Sequence, residues 1–270
     1  MNNRLNRRSF IGMGAAFAAA GCRTCRQKPL AVKGVRIGVQ MYSVNDLWKK
    51  SPAAAFRKLK AMGYDGVQSF GFYAMNHAEL EKMISDAGLQ VIDMPFLMET
   101  VAKDGFNKYL EFCQRFKIGF VYEPWSKYAT GAEWRRHAEE LAALGEKFKP
   151  YGIRVGYHNH QHELKDRFDG KAPLEYMYDA GLAMELDVGH VKLAGDDPVR
   201  WLKKLAGRVP SFHAKPGGGN VVGGKDDAND WNSIFDAAAS SGAKWAVVEC
   251  ETRHGTYDDV AASIEFLRQL

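Results

Sequence analysis

The chain has 270 residues, and its 37 lysines and arginines against 32 aspartates and glutamates give a formal net charge of +5. Arg4, Arg7, Arg8, Arg23, Arg26 and Lys28 crowd the first residues, so the remainder is near neutral, which argues against a nucleic-acid partner. The four cysteines suggest no disulfide framework: Cys113 and Cys250 stand in apolar runs and read as buried thiols.

Arg7-Arg8-Ser9-Phe10-Ile11 is a twin-arginine pattern, and the apolar run from Ile11 to Ala20 is too short to span a bilayer. Residues 1–22 are therefore expected to be a Tat-type export signal. Ala19-Ala20-Gly21-Cys22 resembles a lipobox, whose cysteine becomes lipidated. Residues 23–34, basic and polar, are expected to form a tether. These features predict a periplasmic protein that meets the membrane only through a lipid anchor at Cys22. Residues 35–270 have the length of one single-domain α/β barrel, roughly 250 residues.

From residue 35 onward short apolar runs alternate with amphipathic stretches. The predicted strands are Arg36–Tyr42, Gly66–Phe70, Leu89–Met94, Gly119–Glu123, Ile153–His158, Ala183–Val188, Pro210–Ala214 and Lys244–Glu249. Gly34, Gly63, Gly88, Gly119, Gly152, Gly181 and Gly242 precede most of them and fit helix C-termini. Between the strands lie helix start signals: Ser51-Pro52, Asn76, Asp104, Thr130, Asp197-Pro198 and Asp258. Eight strand–helix units predict an α/β fold, a closed (β/α)8 TIM barrel. No G-x-G-x-x-G follows the first strand, which removes support for a dinucleotide fold.

In such a barrel the active site lies at the C-terminal strand ends. There stand Gln40 and Tyr42, then Gln68 to Phe70, Glu123 with Trp125, His158 to His160, Asp187 with His190, His213 with Lys215, and Glu249 with Glu251. Strand 3 offers only Asp93 and Met94, which carry no signal. His158, Asp187, His213 and Glu249 each end an apolar run. Charged groups in that setting are costly unless paired or metal-bound, so imidazoles and carboxylates facing one mouth suggest a divalent-metal site.

Gly38-Val39-Gln40-Met41-Tyr42-Ser43, Gly156-Tyr157-His158-Asn159-His160, Asp187-Val188-Gly189-His190, Gly195-Asp196-Asp197-Pro198, His213-Ala214-Lys215 and Val248-Glu249-Cys250-Glu251 together resemble the sugar phosphate isomerase/epimerase family of xylose isomerase-like TIM barrels. The resemblance implies one divalent metal (Mn, Co, Mg or Zn) on His158, Asp187, His213 and Glu249. It departs from the family pattern at His158, where many members carry glutamate. Glu163 or Glu123 would then supply a missing carboxylate, or His158 would itself be the base. His190 matches a substrate-contacting histidine. Lys215 matches a polar position, with Pro216 replacing the aspartate that often follows it, and the glycine-rich stretch 217–224 departs further.

Such a site transfers a proton next to a carbonyl. The catalytic candidates are His158, His160, Lys215 and Glu249; the substrate-binding candidates are Gln40, Tyr42, Trp125, Glu163 and His190. Tyr42, Phe70, Trp125 and Trp231 are aromatic faces for a sugar or, equally, packing. His162 reads as solvated loop. The expected activity is isomerisation or epimerisation of a non-phosphorylated sugar or keto-sugar. The alternatives are β-elimination from an exported 3-keto-glycoside, by a lyase or hydratase, and a non-catalytic carbohydrate-binding lipoprotein. Homo-oligomerisation is left open.

Overall fold

The computed structural model describes residues 30–251 and 256–270; residues 1–22, expected to form an export signal, and Cys25 lie outside them. The strands are β1 Ala31–Val32, β2 Val35–Gln40, β3 Gly66–Gln68, β4 Gln90–Val91, β5 Met94–Pro95, β6 Phe120–Glu123, β7 Arg154–His158, β8 Ala183–Asp187, β9 Ser211–Ala214 and β10 Trp245–Val248. The helices are α1 Asn45–Trp48, α2 Pro52–Met62, α3 His77–Ala87, α4 Met98–Asp104, α5 Phe106–Phe116, α6 Gly131–Phe148, α7 His162–Lys165, α8 Pro173–Asp179, α9 Val188–Leu193, α10 Pro198–Lys204, α11 Trp231–Ser240 and α12 Asp258–Leu267.

β2 to β10 pair in parallel in the order β4-β3-β2-β10-β9-β8-β7-β6-β5. The predicted third strand is split in two. β4 pairs with β3 and β5 with β6, so one stretch of chain joins both edges and closes the barrel. The cause is two successive inward side chains. Ile92 fills the space beside Gly38 and Gly66, while Asp93 accepts a hydrogen bond from Ser211 Oγ at 2.6 Å. Two neighbours on one face break the period of two, and the ladder is interrupted between them.

Elsewhere alternation holds. In β7, Val155 and Tyr157 pack in the apolar layer between sheet and helices, and His158 faces the barrel axis. Phe120, Tyr122 and Ala183 form a separate small cluster inside the barrel. Gly156 lies against it; a Cβ there would come within 2.3 Å of the Ala183 carbonyl oxygen. Trp134, Ala138, Leu141, Leu144 and Phe148 line the buried face of α6, as their spacing predicts. Burial of each large side chain stabilises by about 1.5–3 kcal/mol.

β1 pairs antiparallel to β2 through a two-residue turn at Lys33 (φ 50°) and Gly34 (φ 85°). Both take the left-handed backbone that such a hairpin needs. Gly34 therefore closes a hairpin rather than a helix, and ordered structure takes in the end of the expected tether. Asn76, Thr130 and Asp197 cap their helices as predicted. Ser51 makes no capping bond, Asp104 ends α4 while Gly105 precedes α5, and Asp258 lies inside α12. Lys117, not Gly119, takes the left-handed position after α5. Cys113 and Cys250 are buried free thiols. Among the described residues, no helix is long and apolar enough to cross a membrane.

Candidate metal centre and active site

Sheet register sets the site. Asp187 on β8 is level with His213 on β9, and His158 on β7 is level with Glu185 on β8. Ligand atoms of His158, Asp187 and His213 all lie within 4.8 Å of one another, and all three residues are buried. Asp187 Oδ1 caps α9 by accepting from His190 N at 2.7 Å, which orients the carboxylate. Its Oδ2 lies 3.6 Å from His213 Nδ1 and has no hydrogen-bond partner among the described residues. His158 Nδ1 is likewise buried and without one.

Glu249, just beyond β10, brings Oε2 to 3.0 Å from His213 Nδ1. Lys215 Nζ donates to the same oxygen at 3.4 Å and pairs with Glu251. Burial alone would raise the Glu249 carboxyl, but His213 and Lys215 hold it well below its ordinary range. Asp187 is held down in the same way, against burial, by His190, Lys215 and His213. Burial would discharge Lys215, yet Glu249, Asp187 and Glu251 keep it charged. His213 is pushed down by burial and more strongly up by Glu185 and Glu249. Burial and the neighbouring His213 and His160 depress His158, so its imidazole is neutral.

His160 lies past the end of β7, its ring 4.9 Å from that of His158 and 4.8 Å from that of His190. Burial and His190 bring it down to about 4, so it too is neutral at neutral pH. Among the described residues, His160 Nδ1 and both ring nitrogens of His190 have no hydrogen-bond partner. Tyr42 is half-buried and meets Phe70 edge-on at 4.8 Å, and Trp125 is 51% exposed.

Other candidates do not join the centre. Glu163 is wholly buried; it accepts from Tyr157 OH at 2.6 Å and from His160 N at 2.8 Å. Tyr157 faces the helix layer, so Glu163 sits behind the mouth, tied to Tyr157 and His160 and apart from the ligand cluster. Glu123 accepts from Met98 N at 3.0 Å and stands outside the ligand cluster. Gln40 is buried, with its amide bonded to Gln68 and Tyr42 N. His162 opens α7 half-buried, its Nε2 2.9 Å from the Ser126 carbonyl. Trp231 is buried and donates to Asp227 Oδ2 at 2.6 Å. The Asp227 carboxylate also accepts from Gly217 N and Gly223 N, so this tryptophan anchors the glycine-rich loop.

Two acids inside the barrel escaped the sequence reading. Glu185 is fully buried; it accepts from Gln68 Nε2 and brings Oε2 within 3.2 Å of His213 Nε2. Asp93 is pushed well above the ordinary carboxylate range by burial and by Glu185. The signal for Glu185 was present: it lies two residues before Asp187, hence on the same inward face.

The donor set suits a divalent cation. His158, Asp187 and His213, with Glu249 bonded to His213, offer borderline nitrogen and hard oxygen ligands, and two of the converging atoms are buried without a protein partner among the described residues.

Comparison with known proteins bears on the fold and the family. MocC of Rhizobium meliloti, a rhizopine catabolism protein, is 24% identical over 238 residues, covering 72% of this chain and 73% of that protein. Inosose dehydratase of Clostridium beijerinckii is 32% identical over 89 residues, which take in 33% of this chain and only 30% of the dehydratase. A solved sugar phosphate isomerase/epimerase from Parabacteroides distasonis superposes with a TM-score of 0.77 at 21% identity, over 90% of this chain and 97% of its own, a likeness of fold. The xylose isomerase-like TIM barrel model matches residues 56–270, from α2 to the last residue, and the chain belongs to that family.

Proposed function

We propose that the protein is a divalent-metal-dependent sugar isomerase or epimerase that moves a proton on the carbon next to a carbonyl of a non-phosphorylated sugar or keto-sugar. One observation carries this reading: the convergence of His158, Asp187 and His213 on a buried point, with Glu249 joined to His213. A metal on these four residues would polarise the carbonyl and stabilise negative charge on its oxygen. His160, neutral and with an unpartnered Nδ1, is suited to accept or return the proton. Glu249, held ionised, can act from the far side, since β10 stands three strands from β7 around the barrel. Lys215 steadies Glu249 and can donate to a substrate oxygen. His190, whose Nε2 lies 3.9 Å from the Asp187 and Glu251 carboxylates, offers ring nitrogens for hydroxyls, and Trp125 an exposed ring for a sugar face. The charge of Lys215 is already matched by Glu249 and Glu251, which favours a substrate without phosphate.

The dehydratase relatives favour a second reading on the same residues: the proton leaves the carbon next to the carbonyl, a double bond forms, and the β-hydroxyl or glycoside takes up a proton and departs as water or alcohol. The twin-arginine pattern and Cys22 support export by Tat and a lipid anchor in the periplasm as a further part of the proposal.

The test is solvent-deuterium exchange into a panel of sugars and keto-sugars by residues 26–270 loaded with Mn, Co, Mg or Zn. Deuterium in an isomer of unchanged composition supports the isomerase or epimerase; loss of water or aglycone supports the lyase. A metal-loaded protein that exchanges no substrate proton would refute both.

A further inference from the structure

We propose that Glu185 is a positioning residue of the metal centre: through Gln68 it fixes the ring form of His213 that turns Nδ1 toward Asp187 and Glu249. The proposal rests on the metal reading of His213 given above and adds a residue to it.

Glu185 is wholly buried in the middle of β8, on the inward face it shares with Asp187. A carboxylate there is costly unless its oxygens meet donors. Oε1 receives Gln68 Nε2 and lies 3.2 Å from Ser211 Oγ. Gln68 is the donor of its pair with Glu185 and so turns its NH2 toward that carboxyl. The Gln68 oxygen then faces the other way, where it meets Gln40 Nε2 and, at 2.7 Å, His213 Nε2. Gln40 has the same polarity by its own constraint, because its oxygen accepts from Tyr42 N at 3.1 Å.

An amide oxygen only accepts. His213 Nε2 therefore carries the hydrogen, and Glu185 Oε2, 3.2 Å away, favours the same arrangement. The opposite form would set a nitrogen lone pair against two acceptors. Nδ1 is left as the nitrogen a cation can take, and it lies 3.0 Å from Glu249 Oε2 and 3.6 Å from Asp187 Oδ2. A hydrogen-bonded partner that fixes the tautomer and ring angle of a ligating histidine strengthens metal binding. The competing arrangement, with Glu185 itself ligating, would take His213 through Nε2 and break its 2.7 Å contact with Gln68.

The experiment is long-range proton–nitrogen correlation NMR on the 15N-histidine-labelled full chain loaded with Zn2+, with His213 assigned by its loss in His213→Gln. The expected spectrum shows His213 protonated at Nε2 and metal-shifted at Nδ1. Glu185→Leu leaves Gln68 held by Gln40 alone and removes the second acceptor beside His213 Nε2, so it should loosen the ring and weaken Zn2+ binding in chelator competition on the order of 10- to 100-fold. Glu185→Gln keeps an accepting oxygen and should restore most of that loss. Metal on Nε2 in the unmodified protein overturns the relay alone, as does a folded Glu185→Leu with unchanged affinity and ring pattern. If Glu185→Leu does not fold, the spectrum of the unmodified protein decides. No Zn2+ uptake at all overturns the metal reading and this proposal with it.

Discussion

Asn159 holds Asp187 by both backbone groups: its Oδ1 accepts from Asp187 N at 3.0 Å, and its Nδ2 donates to the Asp187 carbonyl at 3.3 Å. The clasp ties the end of β7 to the end of β8, where the central carboxylate of the site begins. All these groups are buried, so nothing replaces a lost partner cheaply. Asn159→Ala should lower stability by about 2–5 kcal/mol, the cost of two unsatisfied buried groups and a small cavity. Asn159→Asp should cost no less, because an oxygen would then face the Asp187 carbonyl. Urea unfolding measures both; a change within about 0.5 kcal/mol for Asn159→Ala would refute the clasp.

Glu163 makes a different prediction from the one its place among the histidines suggests. It accepts from Tyr157 OH and His160 N, with His162 Nε2 at 3.2 Å, and none of these contacts opens on the mouth. Glu163→Ala should destabilise by about 2–4 kcal/mol by stranding two buried donors. Metal affinity should change only a few fold. Thermal unfolding and calorimetric metal titration separate the two effects, and a total loss of metal binding in a stable variant would make Glu163 a ligand after all.

The contrast between Glu163 and Glu185 shows where the sequence was legible. Strand ends stood out because a polar residue closes an apolar run, and all eight predicted runs carry a barrel strand or part of one. His158, Asp187, His213 and Glu249 stood out by that rule, and the family resemblance gave them their expected role as ligands. Glu185 was not, because it sits inside the run Ala183–Asp187 and its neighbours Met184 and Leu186 face the opposite side. Asp93 was hidden differently: the split of the third strand turns it inward together with Ile92, which no period of two foretells. Glu163 misled because nearness along the chain does not say on which side of a strand a loop folds back.

Glu123 predicts a pH effect on stability. Burial raises its carboxyl from the ordinary 4.5 to about 8, despite the hydrogen bond from Met98 N. Between those values the folded protein keeps a proton that the unfolded chain has lost, so this contribution is full below 4.5 and declines as pH rises toward 8. The decline amounts to at most about 5 kcal/mol, at about 1.4 kcal/mol for each pH unit separating the two values. Glu123→Gln keeps an oxygen for Met98 N and removes the ionisation. It should match the natural protein in acid and exceed its stability above about pH 6, in denaturant titrations at several pH values. A stability difference that does not vary with pH would show that Glu123 ionises in the fold as readily as in water.

Metal loading should reverse the pH response of His213. Burial lowers its affinity for a proton, but Glu185, Glu249 and Asp187 raise it further, so the metal-free imidazole is charged. A histidine whose folded value is raised stabilises the fold below the ordinary 6.5, and this contribution is lost as pH climbs through the raised value. Metal-free protein should therefore lose stability on the alkaline side. A cation on Nδ1 takes the place of that proton, so binding should release about one proton and tighten as pH rises. Titration calorimetry in two buffers of different ionisation enthalpy counts the proton, and melting curves with and without EDTA follow the stability. Proton-neutral binding, or identical alkaline losses with and without metal, would place the cation away from His213 and leave Asp187 Oδ2 and His158 Nδ1 without the partner their burial demands.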